Sequence, residues 1–395
     1  MKGPWTILLA AFVGVFASFA SVFIFTYSIF LKPLSAEFGW SRTAMSGGFA
    51  IAALTVAFAS PLIGRLVDRF GSRAVIVPSA TAFGLAFGSL SLLTPNLAHF
   101  YGVLFVMGVV GNGTTQLAFS RAVVRAFDGR RGMALAVMMA GTGIGSMVMP
   151  ALAQAGIDRY GWRITFQLFG VMILLLSVPL TLWLIPHEPA SAVASRHTGA
   201  RAALRSHLFW NFVAAFFLMS LAVNASLAHL APLFTDRGYS PATAALAAST
   251  LGGATLGGRL LTGWLLDKWR ASGVSSILFA CGAAGLLGLA VDGSGALAFV
   301  SVALIGIGMG AEADVIPYLI SRHFDIGSFS ELYGVSFSAF ALAGAIGPMA
   351  MGRAFDVAGS YNPVLLAFSG AALLAALLIG RAAARRGVVS PAPAL

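Results

Sequence analysis

Apolar residues run along this chain in long blocks separated by short polar stretches. A helix needs about 20 mostly apolar residues to cross the hydrocarbon core of a bilayer. Blocks of that kind lie near 5–31, 44–66, 74–94, 98–124, 132–156, 164–185, 208–234, 242–265, 274–291, 296–320, 332–354 and 362–383, which predicts twelve spanning helices. The first block runs on to Leu31, longer than the apolar core of a secretion signal, so Ser18-Phe19-Ala20 is read as part of a span and not as a cleavage site. One longer polar stretch, Pro186 to Ser206, holds Glu188, Arg196, His197, Arg201 and Arg205 and divides six helices from six. The expected organisation is a six-helix bundle over 1–186, a central loop over 187–206 and a second six-helix bundle over 207–395.

Composition agrees with the pattern. Of 395 residues 58% are hydrophobic and only 9% charged, against about 25% charged in a soluble domain. So few charges cannot cover the surface of a water-soluble protein this large. The net charge of +11 is carried mostly by loops. One set of loops with both ends holds Lys2, Arg65, Arg69, Arg73, Arg121, Arg125, Arg130, Arg131, Arg196, Arg201, Arg205, Lys268, Arg270, Arg322, Arg381, Arg385 and Arg386; the other side holds Lys32, Arg42, Arg159, Arg163, Arg237 and Arg353, a ratio of 17 to 6. The positive-inside rule then puts both termini and the central loop in the cytoplasm. No basic block interleaved with aromatics points to nucleic acid. The single cysteine, Cys281, excludes a disulfide framework within the chain.

The two halves repeat. Phe38-Gly39-Trp40-Ser41 is answered by Arg237-Gly238-Tyr239-Ser240, and Gly64 and Asp68 by Gly263 and Asp267, each at an offset of 199; Asp158 is answered by Asp356 at 198. Parallel repeats of six helices are a transporter architecture, with the substrate site expected near the midplane.

Between the second and third spans lies Gly64-Arg65-Leu66-Val67-Asp68-Arg69-Phe70-Gly71-Ser72-Arg73. It combines turn glycines, a lone acid at a helix end and flanking cations. Asp68 in that place is expected to pair with a cation or a helix N-terminus at the cytoplasmic face, forming a lock that opening must break. The partial repeat Gly263-Trp264-Leu265-Leu266-Asp267-Lys268 strengthens a gating reading for Gly64, Asp68, Arg69, Gly71, Arg73 and Asp267 over a charged turn that only sets topology.

This decapeptide resembles the signature loop of the major facilitator superfamily. Within it, Phe38-Gly39-Trp40-Ser41-Arg42, Arg130-Arg131-Gly132-Met133-Ala134, Tyr160-Gly161-Trp162-Arg163, His229 to Leu233, Asp236-Arg237-Gly238, Gly258-Arg259-Leu260, Tyr333-Gly334 and Gly347-Pro348 look most like bacterial relatives of the monocarboxylate and oxalate/formate carriers. The resemblance implies an all-α membrane protein of two pseudo-symmetric six-helix bundles that moves small organic anions. Two departures matter. The first span has no charge, where animal monocarboxylate carriers have a Lys, and Thr255 stands one turn before Arg259, where they have an Asp. Proton coupling through that pair therefore does not transfer.

Polar residues inside spans are costly and are the site candidates. Arg259 stays charged and binds a carboxylate through two parallel hydrogen bonds, so it is the expected substrate anchor, against pairing with an acid or reaching to the interface. Glu312 and Asp314 are two residues apart and point about 200° away from each other, so one is expected to carry a coupling proton and the other to brace a neighbour. His229 is a proton-relay candidate or a hydrogen-bonded structural residue. Asn112 and Gln116, spaced i, i+4, are expected to share a helix face and serve a substrate or a neighbouring helix. Asn224, Tyr27, Tyr318 and Phe337 are candidate cavity walls. Gly141 to Gly145 and Gly253 to Gly257 are expected to give close helix packing. No catalytic constellation, metal cluster or phosphate-binding loop is visible, so no enzyme activity, cofactor or ATP is expected.

The function expected is a proton-coupled secondary transporter of small carboxylates, a monomer in the bacterial inner membrane whose partners are its substrate anion, protons and lipid. The competing readings are an exporter of drugs or other metabolites and a non-transporting sensor of organic acids.

Overall fold

A computed structural model describes residues 3–40, 42–187, 200–291 and 295–384. Lys2, Arg385, Arg386 and most of the central loop, with Glu188, Arg196 and His197, lie outside the described residues. The described chain is helical: α1 (Pro4–Phe16), α2 (Tyr27–Phe38), α3 (Arg42–Phe70), α4 (Ser72–Ser89), α5 (Leu97–Gly111), α6 (Gln116–Ala126), α7 (Arg131–Leu184), α8 (His207–Asp236), α9 (Pro241–Lys268), α10 (Ala271–Val291), α11 (Gly295–His323), α12 (Phe329–Ala358) and α13 (Asn362–Ala384).

Among the described residues ten segments are long and apolar enough to span a bilayer. One of them, α7, is two helices, because Gly161 at φ 78° turns the chain in mid-element. The polar-rich α9 is long enough to cross but falls outside the ten. Ten plus one plus one gives the twelve expected. Local chemistry sets the ends. Asn96 caps α5 by accepting from the Ala98 N–H at 2.9 Å, and Ser240 caps α9 with Pro241 following it. Gly39 and Gly238 both adopt positive φ, as do Gly161 and Gly359. These pairs are 199 and 198 residues apart, so the repeat read from the sequence is a repeat of backbone turns that only glycine enters freely.

The chain divides into two compact units. The first is Met1–Ala203 with Ile320–Ala341, so it includes the end of α11 and the start of α12. Here α7 packs on α1 and α4. Gly141 and Gly145 let α7 lie against the backbone of Phe12 and Phe16 and against Ser21, as expected for small residues one turn apart. Phe30, Phe87 and Phe166 are buried together within the bundle, with Phe30 stacked on Phe166 at 4.0 Å.

The second unit is Leu204–Leu319 with Leu342–Leu395, in which α13 packs on α8 and α10. Gly253 and Gly257 were expected to pack closely. Instead both face open space, and the neighbouring Gly258 touches the backbone of Ile307. The residue that packs is one position on, about 100° around the helix.

Each unit carries one arginine that ties three helices together at the same end. In the first, Arg163 reaches the Ser91 carbonyl at 2.7 Å and Glu37 at 2.6 Å, while the Trp162 ring nitrogen donates to Glu37 at 2.7 Å. In the second, Arg237 reaches the Leu289 carbonyl at 2.6 Å and Asn362 at 2.7 Å. The repeat thus keeps the junction and moves the arginine from α7 to the end of α8.

Two spans are not single helices. The first block breaks after Phe16: Ser18 is extended, and a wide turn of π-helix follows over Phe19–Ile24 before α2. Ser21 repairs the break by donating to the Val15 carbonyl at 2.9 Å. The fourth block breaks at Asn112–Thr114, a single 3-10 turn, after which Thr115 is extended. Asn112 and Gln116 therefore do not share a face of one helix, which corrects the sequence reading. Gly113 and two β-branched threonines interrupt the helix between them.

Many large apolar side chains, among them Leu85, Phe105, Leu175 and Trp183, are exposed, as expected where lipid is the solvent.

The Glu37 junction makes a pH prediction. The Arg163 and Trp162 hydrogen bonds hold the Glu37 carboxyl below its ordinary pKa. A depressed carboxylate stabilises the fold above its unfolded pKa and loses that contribution as pH falls through the folded value. Glu37→Gln is expected to lower the unfolding temperature at pH 7, and the difference from wild type should vanish in acid, as followed by thermal unfolding in detergent. An equal deficit at both pH values would contradict it.

Candidate functional site

In the second unit α9 and α11 cross with their backbones almost touching. Gly306 sits against the Leu251 carbonyl and Ala254, Gly310 against the Thr255 carbonyl and the Arg259 nitrogen, and Gly258 against Ile307. Any side chain at these glycines would push the helices apart. Asp314 lies one turn beyond Gly310 on the same face, and this brings its carboxylate to Arg259: Nη1 to Oδ1 is 3.9 Å, with the Arg side chain 14% exposed and the Asp side chain fully buried. That distance is an ion pair without a hydrogen bond. Both Asp314 oxygens and Glu312 Oε1 are buried with no hydrogen-bond partner among the described residues.

The opposition of the two acids follows from the helix. Glu312 lies one turn beyond Gly308, whose face meets Met219 of α8 and Gly282 of α10. It looks into the bundle while Asp314 looks at Arg259. Thr255, where a carboxylate is absent, donates its hydroxyl to the Leu251 carbonyl at 2.8 Å.

Other candidates in this unit are braced. The Tyr318 hydroxyl donates to the Leu266 carbonyl at 2.6 Å, next to half-buried Asp267, and the ring is buried. His229 Nε2 lies 3.0 Å from the Pro348 carbonyl, with its ring beside Tyr361. Asn224 donates to the carbonyl and hydroxyl of Ser220, each at 3.0 Å, and stands close to Gly344 of α12.

In the first unit Tyr27 donates its hydroxyl to the Met45 carbonyl and packs on Phe23 and Phe49. Asn112 is fully buried and donates to the Val56 carbonyl at 3.0 Å and to Ser60 Oγ at 2.9 Å. Gln116 opens α6 and is half-buried. Phe337 of α12 is buried and stacks on Phe340.

The signature loop forms a clasp within this unit. Asp68 accepts from Arg121 and from the backbone N–H groups of Ser330 and Glu331, at 3.1 and 2.7 Å, so it caps the start of α12. The positive end of that helix and a guanidinium meet one carboxylate. Arg121 also reaches the Ile326 carbonyl at 3.3 Å, and Arg65 pairs with Glu331 at 2.7 Å. Gly64 allows the contact, since a side chain there would strike the Ser330 backbone. Gly71 turns the chain at φ 85° into α4, Arg69 lies over the Phe70 ring at 5.0 Å, and Arg73 is half-buried.

Arg121 corrects the sequence reading. The sequence places it among loop cations that set topology, yet its side chain is 0% exposed and it is the direct partner of Asp68. Its position inside the block predicted over 98–124 was the available signal. Ser330 and Glu331 were missed because capping by backbone N–H leaves no mark in residue type.

A family model described as Major Facilitator Superfamily matches residues 11–348. The chain is 25% identical to the uncharacterized MFS-type transporter YcxA of Bacillus subtilis, over 90% of each chain. It is 29% identical to monocarboxylate transporter 4 of Rattus norvegicus over 43% of this chain and 36% of that one. The crystal structure of the E. coli fucose:proton symporter FucP superposes with a TM-score of 0.78 at 15% identity, covering 95% and 98% of the two chains.

The clasp predicts unequal costs. Arg121→Ala leaves a buried carboxylate without its cation, at about 3–5 kcal/mol. Arg65→Ala removes a pair whose arginine is 56% exposed, worth about 0–1 kcal/mol. Denaturation in mild detergent is expected to rank them in that order; equal losses would contradict the burial argument.

Proposed function

The chain belongs to the major facilitator superfamily, and from that premise we propose that it is a secondary transporter of small organic anions, coupled to protons, with Arg259 as the anion anchor and Asp314 as the proton site. The observation that carries this reading is the buried Arg259–Asp314 pair, a cation and an acid at 3.9 Å with the carboxylate oxygens otherwise unengaged. A carboxylate so placed competes with a substrate carboxylate for the same guanidinium.

The proposed cycle follows from charge balance. Without substrate, Arg259 and Asp314 neutralise each other. A proton taken by Asp314 releases Arg259, which then binds the substrate carboxylate through two parallel N–H···O bonds. The site holds one positive and one negative charge in both states, so it never carries a net charge through the low-dielectric interior. The partial likeness to a monocarboxylate transporter supports a carboxylate as the ligand. Glu312, turned toward α8 and α10, is given a bracing role, and His229, held on Pro348, a structural one. Asn224, Gln116 and Phe337 remain proposed contacts. The amide hydrogens of Asn112 and the hydroxyls of Tyr27 and Tyr318 are committed to neighbouring helices.

Alternating access requires the Asp68 clasp to open and close. The lysine and arginine distribution supports both termini, the central loop and the clasp on the cytoplasmic side of a bacterial inner membrane; in the proposed cycle the bundles over 1–186 and 207–395 move within a monomer. Substrate shifts that equilibrium only by binding one state more tightly than the other.

Reconstituted uptake across mono-, di- and tricarboxylates, with and without a pH gradient, tests the reading. Carboxylate uptake is expected, lost by about a hundredfold or more in Arg259→Ala and partly kept in Arg259→Lys. Asp314→Asn is expected to keep exchange and lose the response to the pH gradient. Movement of neutral or cationic solutes without carboxylates, or full activity in Arg259→Ala, would reject the proposal.

A further inference from the structure

Several buried polar residues of the first unit that the transport reading leaves unused are joined in one path. It starts at the break in the first span. The Phe19 N–H, which has no helical acceptor after extended Ser18, donates to Thr114 Oγ1 at 3.1 Å in the break between α5 and α6. Two residues earlier Asn112 spends both hydrogens of its amide on α3, to the Val56 carbonyl and Ser60 Oγ. Ser60 lies on the face of α3 that meets α12: Gly334 rests on the Ser60 backbone and on Pro61. Pro61 has no N–H, so the Ala57 carbonyl loses its helical donor, and Ser338 of α12 donates to it instead. Further along the same face Gly64 meets Ser330 and Asp68 caps α12. Ala57, Ser60, Gly64 and Asp68 recur at helical spacing against Ser338, Gly334 and Ser330, so α3 and the start of α12 form one seam that ends at the clasp.

We propose that Asn112 is a coupling residue: it ties the helix breaks at Ser18 and Asn112–Thr115 to the α3–α12 seam, so that rearrangement at the breaks loosens the clasp closed by Asp68. Interrupted helices are where a span changes course at low cost, because their backbone bonds are already remade by side chains. The seam is the element that must part for the clasp to open. Asn112 is the contact through which α3 feels the break, and it couples two discrete arrangements by direct hydrogen bonds. Its complete burial and committed donors separate this role from substrate contact. The inference rests on the clasp reading above, and is independent of which solute is carried.

The test uses the full chain in lipid nanodiscs with Cys281→Ser and a reporter, Ser328→Cys, at a position 2% exposed beside the clasp. The rate of reaction with a small maleimide is measured. Asp68→Asn sets the scale and is expected to raise the rate; if it does not, the clasp reading fails and takes the inference with it. Asn112→Ala and Ser60→Ala are each expected to raise it about fivefold or more, the worth of one lost hydrogen bond. Thr114→Val is expected to raise it with Asn112 present and to add nothing in the Asn112→Ala background. Should Asn112→Ala not fold, Ser60→Ala carries the same comparison. Rates within twofold of wild type for both, beside fast labelling in Asp68→Asn, would overturn the role of Asn112 alone. An equal multiplication by Thr114→Val in both backgrounds would also overturn it, since independent packing damage behaves that way.

Discussion

A charge inside a bilayer has no water to answer it, so a neighbouring helix must. That constraint orders the polar residues of this chain. Asp68 is answered by Arg121 and by the N-terminus of α12, and the clasp is the result. Arg259 is answered by Asp314 across a glycine-lined crossing, without the hydrogen bonds that would close the pair. In the first arrangement both carboxylate oxygens accept hydrogen bonds. The second leaves acceptor capacity unused, which suits the exchange of partners proposed for Arg259.

The repeat gives both arrangements a common scaffold. Gly108 rests on the backbone of Ala52 and on Thr55, as Gly306 rests on the backbone of Leu251 and on Ala254, at offsets of 198 and 199. In the first unit the polar link across this crossing is Asn112 to Ser60, and in the second it is Asp314 to Arg259. Ser60 and Arg259 are 199 residues apart in the sequence. The same crossing is therefore neutral in one copy and charged in the other. A neutral amide link suits mechanical coupling, and an ion pair suits a site that responds to protons and anions.

Much of this was legible in the residues. Block length sufficed for the spans, and Gly39 with Gly238 marked equivalent turns because positive φ selects glycine. Arg259, Glu312 and Asp314 stood out as charges in apolar runs. The helix breaks did not. Ser18 lies in a stretch as apolar as its neighbours, while Asn112-Gly113-Thr114-Thr115 is a polar run that reads as hydrogen-bonding capacity within a span; a break stitched by hydroxyls differs from a helix only in where its hydrogen bonds go. Arg121 was hidden by its nearness to a span end, where a cation reads as topology. Gly253 and Gly257 looked like a packing stripe because spacing fixes a helix face without saying which face meets a neighbour. The pairing of Asp314 rather than Glu312 with Arg259 needed the Gly310 contact, which is tertiary.

In the proposed cycle the Arg259–Asp314 site stays electrically neutral, one proton entering with each monovalent anion. The most direct measurement is uptake of a monocarboxylate into proteoliposomes clamped by potassium and valinomycin, with pH gradient and membrane potential imposed separately. Uptake driven by the pH gradient and indifferent to potential is expected. Uptake driven by potential alone, with no response to the pH gradient, would contradict it.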